Sequence, residues 1–358
     1  VTGYLRSFTM RELKIARTDK SIVGLIQTEI DKKTKPIASL GIVEVLALKL
    51  GVIYQTIKPS IKSPVVFICA GDHGITRQGV SAYPSEVTAQ MLLNFQNGGA
   101  AINVLARSNG LNVEIVNAGV DVSAIPSLSE LLDPIAFSTQ DFSSQDAMTV
   151  GQCEAAIALG YGRAMARIES GSNFVLLGEM GIGNTSAAAV ITSIMTDFPI
   201  ETCVGRGTGL GEQGLNEKRQ TLAAAINFHG RDHDPMTVLQ KFGGLEIAAL
   251  VGIIFAAAES GCAILVDGYI TTSAALIAVA LQPNVSDYLI FSHLSKEPGH
   301  QIALDHLMGT TILSLDLCLG EGSGAALAFP IVKAASEILS EMATFESASV
   351  SSAKNNVL

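Results

Sequence analysis

The chain has 358 residues, 48% apolar and only 16% charged, which excludes a disordered protein and leaves room for about two domains. Its 23 Lys and Arg against 33 Asp and Glu give a net charge of −10, so wrapping nucleic acid or lying on an anionic membrane is not expected. The five Cys form no Cys-x-x-Cys, so neither a zinc knot nor a disulfide framework is indicated. Trp is absent and aromatics are 5%, so the core must be built from Ala, Ile, Leu and Val. Arg6, Arg11, Glu12, Lys14, Arg17 and Asp19 leave no signal-peptide core, and a soluble cytoplasmic protein is expected.

In chain order, helical spacing covers 10–30 and 42–56, joined by Lys32-Lys33-Thr34-Lys35-Pro36. Short apolar runs then alternate with longer helical stretches. The runs at 65–69, 113–116, 174–177, 262–266 and 288–291 read as strands. Helices are expected at 85–95, 152–168, 215–228, 245–259, 271–281 and 324–343, with Pro330 kinking or splitting the last. Strands separated by helix-length segments give an α/β fold with a Rossmann-like parallel sheet covered on both faces. The stretch 262–281 contains Asp267-Gly268 and reads as strand, loop and helix rather than a membrane span. The Ser-rich tail from Ser347 is expected to fray.

The residues just past each strand are more informative than the strands. The continuations are Gly71-Asp72-His73-Gly74, Asn117-Ala118-Gly119, Gly178-Glu179-Met180-Gly181-Ile182-Gly183-Asn184-Thr185, Asp267-Gly268-Tyr269 and Ser292-His293. Glycine and polar side chains thus collect at the carboxyl edge of a parallel sheet, where α/β proteins bind ligands beside helix N-termini. Five such endings favour an enzyme site over a scaffold.

Gly178 to Thr185 has the spacing of a Walker A loop, but Asn184 replaces its lysine, which weighs against nucleoside-triphosphate chemistry. The string still suits one phosphate at a helix start, or simply a start that needs small residues. Gly205-Arg206-Gly207-Thr208-Gly209 begins a second glycine nest, and Gly209-x-Gly211-x-x-Gly214 matches a dinucleotide fingerprint preceded only by a weak strand at 202–204. Lys218 shares the inward face of Leu215 and Leu222, so it reads either as a phosphate partner or as a lysine snorkelling over apolar neighbours. Glu321, between Gly320 and Gly322 before the last long helix, is a candidate general base or a mere cap, its ionised form favoured by the helix dipole. His293, His300 and His306 lack zinc-ligand spacing, and Asp72-His73 alone is a weak metal pair. No cofactor or metal is expected. Ser81-Ala82-Tyr83-Pro84 presents an aromatic at a turn, lining an apolar pocket or packing.

Taken together, GDHGITRQGVSAYPSEVTAQMLLNFQNGGAAINVLAR (71–107), LLGEMGIGNTSAAA (176–189), CVGRGTGLGEQGLNEKR (203–219), GGLEIAAL (243–250), VDGYITTSAAL (266–276), FSHLSKEPGH (291–300) and LGEGSGAALA (319–328) resemble the nicotinate-nucleotide–dimethylbenzimidazole phosphoribosyltransferase family of cobalamin lower-ligand synthesis. The resemblance runs from about residue 30 to 330 in the family's order. It implies transfer of ribose 5-phosphate from nicotinate mononucleotide to 5,6-dimethylbenzimidazole, with inversion at the anomeric carbon. The products are α-ribazole 5′-phosphate and nicotinate. It places the base on Glu321 and a second site acid on Glu179. It assigns the benzimidazole pocket to Ser81, Tyr83, Pro84, Gln90 and Met91, and the phosphate to Gly207, Thr208, Gly209 and Lys218, with Gly181 and Ser292 facing ribose or nicotinate. It also implies a homodimer.

Two departures stand out. Lys35-Pro36-Ile37-Ala38-Ser39-Leu40-Gly41 carries Ala38 where the family has Gly, and Leu317-Cys318-Leu319 lacks the family's arginine before the base. The expected organisation is a small helical domain from 1–60 plus 325–358 and a catalytic domain over 61–324. The competing readings are a nicotinamide-dependent oxidoreductase, resting on the 209–214 glycines, and a non-catalytic nucleotide or benzimidazole sensor.

Overall fold

The computed structural model describes residues 13–351 apart from 132, 133 and 208. Of the helix expected at 10–30, residues 10–12 lie outside the described range, 13–19 are not helical, and the helix proper is α1 (Val23–Asp31), followed by α2 (Ile42–Ile53). The sheet strands are β1 (Val65–Gly71), β2 (Asn112–Gly119), β3 (Phe174–Met180), β4 (Ala263–Val266), β5 (Leu289–His293) and β6 (Thr311–Leu313). All pair parallel in the order β2-β1-β3-β4-β5-β6. The five expected strands are present. The sixth leaves no mark in the sequence because it has three residues, each only partly buried, too few to show a period.

β1 is buried along its whole length, as a strand covered on both faces must be, so it is a run of apolar residues rather than an alternation. The chain leaves β1 toward β2 on one side and returns to β3 on the other. That reversal makes a crevice between the carboxyl ends of β1 and β3, where Asp72 and Glu179 stand.

Helices α3 (Glu86–Gln96), α4 (Ala101–Asn109), α5 (Val150–Glu169), α6 (Asn184–Thr196), α8 (Glu212–His229), α9 (Pro235–Phe242), α10 (Leu245–Glu259), α11 (Tyr269–Leu281), α12 (Pro298–His306) and α13 (Ser323–Glu341) surround the sheet. α10 is apolar all round and correspondingly buried from Leu245 to Ala258. It lies against α5 at a glycine crossing: a Cβ on Gly160 would stand 1.8 Å from the Ala249 carbonyl, and one on Gly252 would stand 1.9 Å from that of Ile157. Of the expected weak strand at 202–204, Thr202 and Cys203 end α7, a single helical turn over Ile200–Cys203, and Val204 is its cap.

Pro330 does not split the last helix; α13 is continuous through it. A proline removes the N–H that would bond the carbonyl four residues back. That orphan carbonyl, on Ala326, is taken by the Asn109 side-chain amide from α4 at 3.2 Å. A side chain distant in sequence thus removes much of the cost the local rule assigns to the proline.

The chain ends meet. Thr34 N donates to Ala343 O and Phe345 N donates to Lys32 O, while α13 packs on α2. The same helix packs Phe329 edge-on against Phe174 of β3, so one core runs continuously from Ile26 to Leu339. Ala38 takes φ of +59°, so it adopts the left-handed conformation otherwise natural to glycine. Among the described residues no helix is long and apolar enough to cross a membrane.

Candidate active site

Glu321 sits between Gly320 and Gly322, and all three residues have positive φ, with Glu321 at +64°. A side-chain-bearing residue there is strained, by about 1 kcal/mol or more, and such strain collects at functional sites. Its backbone is clamped against β3: Glu321 N donates to Glu179 O at 3.2 Å, and a Cβ on Gly178 would stand 2.7 Å from Glu321 O. The residue is 5% exposed, and its Oε2 accepts Ile102 N at 3.4 Å, at the start of α4 rather than of its own helix. Burial outweighs that bond and pushes the carboxyl above its ordinary value, the reverse of the expectation that the α13 dipole would favour ionisation.

Asp267, at the end of β4, does what Glu321 does not: it caps α13. Its carboxylate accepts Ala325 N at 2.8 Å and Gly322 N at 3.2 Å. Burial nonetheless lifts it to about 7, with Glu321 adding to the rise. Behind it His293, 3.8 Å from Asp267 Oδ1, is held down to about 4 by burial. Ser292 is fully buried and its hydroxyl donates to Asp267 O at 2.7 Å, so it braces Asp267 rather than standing on the cavity wall.

Glu179 closes β3 and is 5% exposed. Burial, then the charges of Asp267 and Glu246, push it up to about 8, so it holds its proton at neutral pH. Its Oε2 accepts the Asn184 side-chain amide. The residue standing where a Walker lysine would be is therefore turned to the neighbouring acid, and α6 still begins there with Gly183 as its left-handed cap.

Glu179, Gly181, Asn184, Thr185, Gly207, Asp267, His293 and Glu297 enclose a small recess of about 70 Å³. The recess faces the first turns of α6 and α11, where free N–H groups favour an anion. Lys218 is 1% exposed, and Nζ donates to Thr185 Oγ1 at 2.8 Å. Burial lowers it to about 8, with Glu297 opposing the fall, so it remains largely charged at neutral pH. Glu297 Oε1 in turn accepts Gly207 N at 3.0 Å. Gly207 and Gly209 take positive φ, and Thr208 lies outside the described residues.

The recess opens onto a larger cavity of about 1040 Å³, the two sharing Met180, Ile182, Gly207, Glu297, Cys318 and Leu319. Tyr83, Val87 and Met91 line its wall, and so does Glu321. Ser81, Pro84 and Gln90 stand outside that wall; the Ser81 hydroxyl instead accepts Tyr83 N at 3.3 Å. The arrangement juxtaposes an apolar slot, a strained carboxyl and an anion recess, which suits the joining of a flat heterocycle to a phosphorylated sugar.

The sequence model of a phosphoribosyltransferase family matches residues 15–350. The chain belongs to that family. Proteins named nicotinate-nucleotide–dimethylbenzimidazole phosphoribosyltransferase from Cupriavidus taiwanensis and Aromatoleum aromaticum are 47% and 45% identical to it, each over 95% of this chain and 98% of the relative. The crystal structure of CobT from Thermus thermophilus superposes with a TM-score of 0.89 at 40% identity, covering 93% of this chain and 99% of that one. Its helix-flanked parallel sheet is the same fold.

Within this phosphoribosyltransferase fold the dinucleotide fingerprint fails its context test, because a helical turn and not a strand precedes Gly209. His73, weighed as a metal ligand, bonds Glu246 at 2.7 Å with both side chains fully buried. Sequence reasoning passes over Asp267, Asn184 and Glu297 as site residues. Asp267 carries a signal, an acid at a strand's carboxyl end; Glu297 carries none, since its partners Lys218 and Gly207 lie about 80 to 90 positions away.

Proposed function

We propose that this chain transfers ribose 5-phosphate from nicotinate mononucleotide to 5,6-dimethylbenzimidazole, as the names of its relatives imply. The observation that carries the reading is Glu321, a strained and buried carboxyl on the wall of the large cavity into which the anion recess opens. The azole nitrogen attacks the anomeric carbon from the side opposite nicotinate, which departs with the electron pair of the broken C–N bond. Glu321 takes the azole N–H proton, and its raised affinity for a proton suits it to that transfer. Nicotinate leaves from a pyridinium and needs no acid.

The phosphate is assigned to Gly207, Thr208, Gly209 and Lys218, where a buried ammonium, glycine amides and the α6 start supply positive potential. Glu179, which keeps its proton at neutral pH, donates to a sugar hydroxyl, and Gly181 forms the recess floor. Tyr83 and Met91 hold the benzimidazole faces; Ser81, Pro84 and Gln90 shape the turn and helix that present them. Ser292 acts through Asp267. The homodimer belongs to the same reading. Leu25, Ile37 and Val45, exposed by 54%, 75% and 58% on and between α1 and α2, supply apolar surface for it, and sedimentation equilibrium tests it.

The test of function is incubation with nicotinate mononucleotide and dimethylbenzimidazole, followed by chromatography. α-Ribazole 5′-phosphate and nicotinate should appear in equal amounts. If neither forms at any pH between about 6 and about 10, the reading is overturned.

A further inference from the structure

Three cations stand on the wall of the large cavity: Arg206, Arg219 and Lys296. Arg206 is engaged, donating to Glu212 and, at 3.0 Å, to Leu210 O. Lys296 is exposed, so its ammonium keeps its hydration. Arg219 differs from both. Among the described residues its Nε, shut off from water, has no hydrogen-bond partner and its guanidinium makes no ion pair. Buried polar groups in folded proteins are nearly always satisfied, so a guanidinium with a dry, unpaired Nε beside a cavity points to a ligand.

Its neighbour in sequence shows which ligand group is left over. Lys218 and Arg219 are consecutive on α8, so their side chains diverge by about 100° around the helix. Lys218 turns inward to Thr185, Glu297 and the glycine turn, the phosphate site of the proposed function. Arg219 turns into the open cavity beside Val204, Gly205 and Leu215. The donor substrate carries a second anion, the carboxylate on its pyridine ring. The inner recess is already assigned to the phosphate, so this second anion needs a cation elsewhere on the cavity wall.

We infer that Arg219 receives the pyridine carboxylate of the nucleotide donor and so makes the site choose nicotinate mononucleotide over nicotinamide mononucleotide. The inference rests on the proposed function and deepens it by naming a specificity residue. A guanidinium binds a carboxylate through two parallel charge-assisted N–H···O bonds; a carboxamide offers one acceptor oxygen and turns a like NH₂ toward the fork. Nicotinate then departs as an anion still matched by Arg219.

Steady-state kinetics of wild type, Arg219→Gln and Arg219→Lys with both nucleotides test it. For Arg219→Gln, kcat/KM with nicotinate mononucleotide should fall at least about tenfold, mostly through KM, while that with nicotinamide mononucleotide stays within about twofold. Arg219→Lys should recover part of the loss. Equal losses with both donors, or none, overturn the inference. Calorimetric titration with nicotinate alone gives a readout independent of turnover: Arg219→Gln should bind it at least about tenfold more weakly, and unchanged binding counts against Arg219. A wild-type chain that turns over neither nucleotide yet loses nicotinate binding on Arg219→Gln would refute the proposed reaction and leave the carboxylate contact standing.

Discussion

The Asp267 carboxylate accepts the Ala325 N–H at 2.8 Å, tying the end of β4 to the first turn of α13, 58 residues later in the chain. The same carboxylate holds Gly322 N, the peptide next after Glu321. One buried acid therefore sets the position of another, and the strained +64° φ of Glu321 persists because both sides of its backbone are pinned.

Asp267→Asn keeps an acceptor oxygen but loses the charge and one of the two cap bonds. We expect about 1–2 kcal/mol of stability to be lost and kcat to fall at least about tenfold, as Glu321 relaxes from its place. Thermal unfolding and steady-state kinetics on the same preparation check it. Full activity with a lowered Tm would leave Asp267 a cap and nothing more.

Glu321→Gln should lower kcat by about 10²–10⁴ while dimethylbenzimidazole still binds, because the slot formed by Tyr83, Val87 and Met91 is untouched. Fluorescence titration of the azole measures binding separately from rate. A variant with near wild-type kcat would remove Glu321 from the role of base.

Stability should fall as pH rises through neutrality. Burial raises Glu179 from 4.5 to about 8 and Asp267 from 3.8 to about 7, so the folded chain binds these protons more tightly than the unfolded chain does. Their contribution is complete below the ordinary carboxylate range and is lost as pH climbs through the folded values. Tm measured from about pH 6 to about pH 7.5, below the range where the depressed Lys218 begins to lose its proton, should decline, and Glu179→Gln, which cannot ionise, should decline less steeply. Parallel curves for the two proteins would contradict this.

Lys218→Met fills the buried space without a charge. KM for nicotinate mononucleotide should rise about 10- to 100-fold, with KM for the azole within about twofold, since the lysine faces Thr185 and Glu297 and not the slot. Product formation under varied concentrations of each substrate separates the two constants. A change confined to the azole would place the phosphate elsewhere.

Gly160→Ala tests the packing beneath the sheet. The added methyl would stand 1.8 Å from the Ala249 carbonyl, so α5 must move off α10, at a cost of about 1–3 kcal/mol or more. Urea unfolding should show a lower midpoint; an unchanged midpoint would mean that the crossing yields without cost.

Much of the architecture is legible in short stretches of chain. Val65 to Cys69 reads as a buried strand because five consecutive apolar residues bounded by Pro64 and Gly71 have few other uses. The helix at 245–259 is found at its expected bounds, since its apolar run is long and begins after a glycine pair. Pro330 misleads because the rule for proline is local, whereas the Asn109 amide that satisfies Ala326 O comes from another helix. Within the site, Glu321, Glu179 and Lys218 are visible through their glycine strings. Glu297 and Arg219 are not, because their importance lies in what faces them.

Local order in this chain, its strands, helices and glycine turns, arises from residues within a few positions of one another, where propensity and hydrophobic period act. Which acid keeps its proton, which caps a helix, and which cation is left without a partner depend on burial and on charges brought together across 50 to 90 positions of chain. Electrostatic energies depend on distance and dielectric in the folded interior, and neither quantity exists until the sheet has gathered these side chains at its carboxyl edge.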